Sequence, residues 1–266
     1  MKLPISAIIV GLNEAIHLEK CMPPLAFCDE ILYFDLGSTD NSREIAIDYG
    51  AIVINHDRVD TCEWIHTKYA NTTKHNWILI TDPDEVISQE LIADIFNLFH
   101  GNKLVEENIG AVTAPWVFYF KNRKLEGTNW GGINRRILLA NNKYFEFSPL
   151  VHVGRNVRDD YEIYEIEFNG KNYIHHFWMT SYAKLLEKHA RYLRNEGEAR
   201  YKTGRRATIK EILKEPFKSF KYSFWHRKGY KDGVTGLFLS IFWAWYESSA
   251  KLKNYSYQRK ATNKSL

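Results

Sequence analysis

Cysteine is scarce in this chain: Cys21, Cys28 and Cys62 make an odd number, with no C-x-x-C pair among them. That argues against a disulfide framework and a zinc knuckle, and favours a reducing, cytoplasmic compartment. A membrane span is also lacking, because the apolar run Val234 to Tyr246 has 13 residues and is interrupted by Gly236 and Ser240. The opening MKLPISAIIVGLNEA has one lysine, and its short apolar stretch stops at Asn13 and Glu14 without a small-residue cleavage site. It therefore reads as a first buried strand and not as a secretion signal. No internal repeat or low-complexity tract is present.

What the chain does have is an ordinary globular composition, 45% apolar and 15% aromatic over 266 residues, enough for one large domain with a sizeable core. Its charge is unevenly placed. From Lys184 onward 20 Lys and Arg face 7 Asp and Glu, a net +13, which leaves residues 1–183 at −9. The basic end suits an anionic partner, and no nucleic-acid reading motif accompanies it.

Ile5 to Val10 is a β-branched apolar run, the pattern of a parallel strand covered on both faces. Helical spacing follows at Ala15 to Cys21, a strand at Glu30 to Asp35, a helix at Ser42 to Tyr49 closed by Gly50, and a strand at Ala51 to Asn55. A helix at Glu63 to Lys74 and a strand at Trp77 to Thr81 complete four alternations, which predict a mostly parallel, doubly wound sheet. Ligands bind such sheets at the carboxyl ends of the strands. Polar clusters stand at those ends: Asn13-Glu14, Asp35 to Asp40, and Asp82 to Glu85. After a helix at Gln89 to Phe99 the alternation stops; strands at Ala111 to Phe120, Asn134 to Ala140 and Tyr161 to Phe168 predict a mixed or antiparallel extension. Ser181 to Gly197 reads as a charged helix.

In the stretch WILITDPDEVIS, Asp82 and Asp84 are two apart, so extended backbone would turn both to one side, with Pro83 stiffening the bend. Paired hard carboxylates call for a cation, and Mg2+ or Mn2+ fits, with coordination sites left for phosphate oxygens. The plainer reading of the same residues is a solvated acidic turn.

Three ordered segments, LPISAIIVGLNE, DEILYFDLGSTD and WILITDPDE, resemble the nucleotide-sugar-binding half of family 2 glycosyltransferases with the GT-A fold. Arg136 before an apolar strand, His152, His176, Lys188, Tyr192 and the segment KGYKDGVTGLFLSIF resemble one branch of that family, the lipopolysaccharide-core β-glucosyltransferase-like enzymes. The resemblance implies an inverting transfer of a hexose from a nucleoside-diphosphate sugar, UDP favoured, to a saccharide or lipid-linked acceptor of cell-surface polysaccharide or lipopolysaccharide synthesis. It also implies roles. Asn13, Glu14, Asp35, Asp40 and Asp82 would border the donor, Asp84, with Asp82 and His176, would hold Mn2+ or Mg2+, and Asp40 would contact the base. Where the family has a basic residue followed by Asn ahead of the acidic motif, this chain has His66-Thr67, and the adjacent Lys68 is the donor-binding candidate. Val153 follows His152 where many relatives have glutamate.

Each of these residues also has a structural alternative. Glu14 and Asp40 suit helix capping, His152 and His176 suit a core, and His175 rivals His176. The acceptor base falls to Glu85, Asp159 or Asp160, with Glu146 a further carboxylate; Glu85 also suits the start of the following helix. Trp116, Trp130 and Trp178 suit sugar stacking or the core. The expected segments are a nucleotide-sugar half (1–100), an acceptor-side half (101–200) and a basic, aromatic helical region (201–266). That region either lies on an anionic membrane surface, peripheral on the inner face of the cytoplasmic membrane, or packs on its own domain. Two other functions fit the pattern: a catalytically silent GT-A domain that binds nucleotide or saccharide, and a sugar-phosphate nucleotidyltransferase. Against the latter, Gly11-Leu12-Asn13-Glu14 offers a single glycine where a phosphate loop would stand.

Overall fold

The first strand, β1 (Leu3–Gly11), sends Ile5, Ala7 and Ile9 into one apolar cluster and Ile8 into another. The period of two in side-chain direction makes this a strand covered on both faces. The computed structural model describes residues 1–59, 61–101, 103–147 and 156–264, with the backbone alone for 105, 106, 156, 263 and 264. His152 and Val153 lie outside the described residues.

The chain forms two compact units, one of residues 1–116 and 133–176, the other of 117–132 and 177–266. In the first, α1 (Ala15–Cys21), β2 (Cys28–Asp35), α2 (Ser42–Asp48), β3 (Ile52–Asn55), α3 (Glu63–Tyr69) and β4 (Trp77–Ile80) follow β1. The pairs β1·β2, β2·β3 and β1·β4 are all parallel. Next along the chain come β5 (Glu85–Ile87), α4 (Gln89–His100), α5 (Lys103–Glu106), β6 (Ile109–Phe120), β7 (Arg123–Lys124), β8 (Asn134–Asn141), β9 (Phe145–Glu146), β10 (Asn156–Val157), β11 (Glu162–Glu165) and β12 (Ile174–Met179), of which β7 and the last residues of β6 and β12 belong to the second unit. The sheet order is β3-β2-β1-β4-β8-β6-β12-β5, with β11 and β7 pairing to β6, while β9 and β10 form a separate ribbon. Past β4 the pairs β4·β8, β6·β8 and β12·β5 are antiparallel. This is the expected α/β architecture: a parallel half, then a mixed extension.

Three local expectations change. The helix after the acidic motif is capped by Ser88, whose hydroxyl accepts from the Leu91 N–H at 3.2 Å, and Glu85 begins β5 instead. The helix expected to reach Lys74 ends at Tyr69 and tightens into a 3₁₀ turn. β12 had no expected counterpart, because IHHFWM shows no clean alternation of polar and apolar residues.

The second unit holds α6 (Tyr182–Lys202), α7 (Ile209–Lys221) and α8 (Gly233–Lys264). The 13-residue apolar run falls within α8, where Leu239, Phe242, Ala244 and Tyr246 are buried. Val234, Leu237, Ile241 and Trp245 of the same run are exposed, so the run packs along one side only, and no described helix is long and apolar enough to cross a membrane. The KGYKDGVTG segment has a structural task. Asp232 is fully buried and accepts from the Glu126 and Gly127 N–H groups, both at 2.8 Å. Gly236 leaves no room for a side chain, since a Cβ there would meet the Gly229 carbonyl oxygen at 1.8 Å.

Candidate active site

The parallel strands end in register. Gly11 pairs with Asp35 and Asp35 with Asn55, so the carboxyl ends of β1, β2 and β3 form one edge. Asp35 is buried, accepts from the Ser38 N–H at 3.1 Å, and lies 3.8 Å from Arg43. With Arg43, Asn55, His56 and Lys68 it lines a cleft of about 420 Å³. Two expected donor-binding residues, Asp35 and Lys68, thus come together at one cleft. Arg43, Asn55 and His56 are additions that the sequence reading missed. Asn55 and His56 were within its reach, since they close a strand as the three singled-out clusters do.

Asn13 and Asp40 tie the loops beside this edge. Asn13 takes a left-handed conformation, φ 58°, which Asn tolerates better than most residues. Its N–H donates to the Ser38 hydroxyl at 2.9 Å, and its side-chain oxygen accepts from the Thr39 N–H at 2.8 Å. Asp40 accepts from the Ala15 N–H at 3.2 Å and from both the N–H and the hydroxyl of Ser42. Burial opposes ionisation of Asp40, but the Ser42 hydroxyl and the backbone donors prevail and hold its carboxyl below the ordinary range. The two Asp40 oxygens bond the first N–H groups of α1 and α2, whereas the N-cap residues of those helices, Glu14 and Asn41, make no side-chain cap bond. The Glu14 N–H donates to the Ser42 hydroxyl at 2.8 Å.

The acidic motif is a turn, not extended backbone: the Glu85 N–H donates to the Asp82 carbonyl at 3.0 Å. In the turn Glu85 and Asp82 both meet Arg136 while Asp84 meets His176, so the extended backbone expected to turn Asp82 and Asp84 to one side is not formed. Glu85 is buried and accepts from the Asp82 N–H at 3.0 Å, from the Thr81 hydroxyl at 3.3 Å, and from Arg136. Asp82, more exposed, lies 3.4 Å from the same guanidinium. Burial works against the Arg136 charge, yet Glu85 and Asp82 raise its pKa further, so it is a permanent internal cation. Burial pushes the Glu85 carboxyl up while Arg136 pulls it back.

Asp84 faces His176, Oδ2 to Nε2 at 3.3 Å. The His176 ring stacks on Trp116, with centroids 4.7 Å apart and planes 8° apart. Arg136 lies 5.3 Å from the same indole. Register decides between the two histidines: His176 pairs with Glu85 across β12·β5, while His175 sits against Tyr173 at 4.5 Å. Burial pushes the Cys21 thiol up, and the charges of Asp84, Glu85, Glu14 and Asp82 push it further.

Among the described residues no group of three or more His, Cys, Asp or Glu is arranged to hold a metal ion. Asp84 and His176 remain as two adjacent ligands of suitable chemistry, whereas Asp82 is drawn toward Arg136. A divalent ion that takes most of its ligands from phosphate and water fits such a pair. Glu85 lacks the exposure an acceptor base needs. Asp159 and Asp160 are exposed in the turn between β10 and β11. Glu146 is exposed on the β9·β10 ribbon. Trp130 and Trp178 stack on each other at 4.5 Å beside His189 in the second unit, a core arrangement.

No family model matches the chain. It is 25% identical to the uncharacterised glycosyltransferase RC0292 of Rickettsia conorii, over 94% of this chain and 92% of that protein. A stretch of 48 residues, 18% of each chain, is 46% identical to the lipopolysaccharide core biosynthesis glycosyltransferase LpsC of Rhizobium meliloti. Among solved structures, glucosyl-3-phosphoglycerate synthase from Mycobacterium tuberculosis with Mn2+, UDP and glucosyl-3-phosphoglycerate matches with a TM-score of 0.32 at 22% identity, over 44% of this chain and 43% of that one.

Proposed function

We propose that this chain is a glycosyltransferase that moves a hexose from a nucleoside-diphosphate sugar to a hydroxyl of a saccharide or lipid-linked acceptor, with inversion at the anomeric carbon. The observation that carries the reading is the strand-end edge: Asp35 and Asn55, at the carboxyl ends of parallel β2 and β3, line the cleft, and Asp84, in the turn after parallel β4, faces His176 of β12. The nearly full-length likeness to a protein named as a glycosyltransferase supports the reaction class. The local likeness to LpsC supports a role in lipopolysaccharide synthesis.

In this reading Arg43 and Lys68 bring positive charge to a nucleotide, and Asn55 offers an amide that both donates and accepts. Asp84 and His176 hold Mn2+ or Mg2+, which when bound neutralises charge developing on the leaving diphosphate. Arg136 fixes the turn that aims Asp84, and Glu85 fixes Arg136, so Glu85 is a positioning residue. Of the expected bases, Asp159 and Asp160 have the exposed carboxylates that proton abstraction from an acceptor needs.

The test is release of nucleoside diphosphate from a panel of nucleotide sugars with Mn2+ or Mg2+, comparing the native chain with Asp84→Ala. Metal-dependent release from one donor, lost in the variant, is expected. Equal release by a folded Asp84→Ala protein would overturn the assigned site, and metal-dependent nucleotide binding without turnover would favour a silent domain.

A further inference from the structure

Helix α7 turns its apolar side to water. Ile209, Leu213 and Phe217 recur every fourth residue and share one side of the helix, where they are 59%, 70% and 81% exposed. The inward face carries buried Glu215 and Ser219, with Ile212 and Phe220 half-buried beside them. Glu215 is buried, accepts from the Ser219 hydroxyl at 2.8 Å and pairs with Lys251 of α8 at 2.5 Å. These partners satisfy the buried carboxylate, so rolling α7 to hide its apolar stripe would break a buried ion pair. The inversion is therefore fixed by the fold.

The flank beside the stripe is basic. At 100° per residue Lys210, Lys214, Lys218 and Lys221 fall together next to Phe217, and all four are exposed. Tyr222 and Trp225 follow directly, 50% and 59% exposed, and their amphipathic rings suit a headgroup boundary. An apolar stripe bordered by lysines matches a surface that is apolar below and anionic at its rim. A second copy of the chain matches it less well, because a self-complementary contact would set lysines against lysines.

We infer that α7 docks on an anionic phospholipid surface, with Leu213 and Phe217 inserted among the acyl chains and Lys210, Lys214 and Lys218 against lipid phosphates. This does not depend on the reaction proposed above, although it would bring the enzyme to a lipid-linked acceptor. The test is co-sedimentation of the full chain with vesicles of phosphatidylcholine alone or mixed with phosphatidylglycerol. Binding is expected to the anionic vesicles only and to weaken with salt. Each Lys→Gln change at 210, 214 or 218 should weaken it roughly fivefold. Leu213→Ser with Phe217→Ser should abolish it while circular dichroism and the urea midpoint stay unchanged, since both side chains are exposed. Equal binding to both vesicle types, or full binding by the double variant, would overturn the inference. So would a concentration-dependent dimer that the double variant disrupts, in a chain that leaves anionic vesicles untouched. Turnover of the water-soluble donor, measured on the same proteins, separates this outcome from failure of the transferase reading.

Discussion

The acidic turn of the first unit and helix α7 of the second both concentrate charge of one sign, and they resolve it oppositely. At the turn, three carboxylates stand within four residues, and the fold supplies its own buried cation, Arg136, for two of them. Along α7 four lysines lie on one flank, and among the described residues none is ion-paired to a carboxylate. Internally compensated charge sets geometry, because removing either partner leaves an ion stranded in low dielectric. Charge left in water is available to an outside partner.

The sharpest way to break this comparison is Arg136→Met. If Arg136 compensates Glu85, the variant should lose about 3 to 5 kcal/mol in urea unfolding, and adding Glu85→Gln should restore much of it. A loss below about 1 kcal/mol would mean the pair is not buried together as described. Next in size is Asp232→Ala, which removes a buried acceptor from two amides in the second unit. About 3 kcal/mol should be lost, with faster hydrogen exchange at the Glu126 and Gly127 N–H groups. His176→Ala should lower nucleoside-diphosphate release roughly 10²-fold, whereas His175→Ala should leave it nearly unchanged. Equal effects of the two would remove the distinction drawn from strand register.

The smallest effect is expected at the opposite end of β2. There Asp29 is lowered to about 2 by a hydrogen bond from Lys74, 2.6 Å away, and by another from His75. A carboxyl depressed in the folded state stabilises above its ordinary value, near 3.8, and that contribution fades as pH falls toward about 2. Asp29→Asn should therefore unfold slightly more easily than the native chain at pH 5, with the difference shrinking steadily as pH falls through about 2. A difference that does not shrink between pH 5 and pH 2 would assign Asp29 a role other than its charge.

Much of the first unit was legible because its strands are short, continuous apolar runs bounded by Gly, Asn and Asp, and local signals suffice for such elements. The pairing of Asp84 with His176 was legible only as a choice between two neighbouring histidines, since β12·β5 register, a contact across 90 residues of chain, selects which ring faces the turn. Arg136 was visible as a strand residue but not as the partner of Glu85. Nothing in NRRILLA says which strand lies alongside.

By itself the sequence determined the order of strands and helices, the carboxylates at the strand ends, and the basic second half, because these follow from side-chain periodicity and composition. Only the tertiary structure decided which carboxylate is buried, which histidine meets Asp84, and which face of α7 looks outward. Helical spacing in IKEILKEPFKSFK shows that one side is apolar and another polar, and the usual expectation buries the apolar one. The Glu215–Lys251 pair, made with a helix that begins 12 residues after α7 ends, reverses that choice. Burial and long-range electrostatics depend on what lies alongside in space, and a linear pattern carries only half of each such contact.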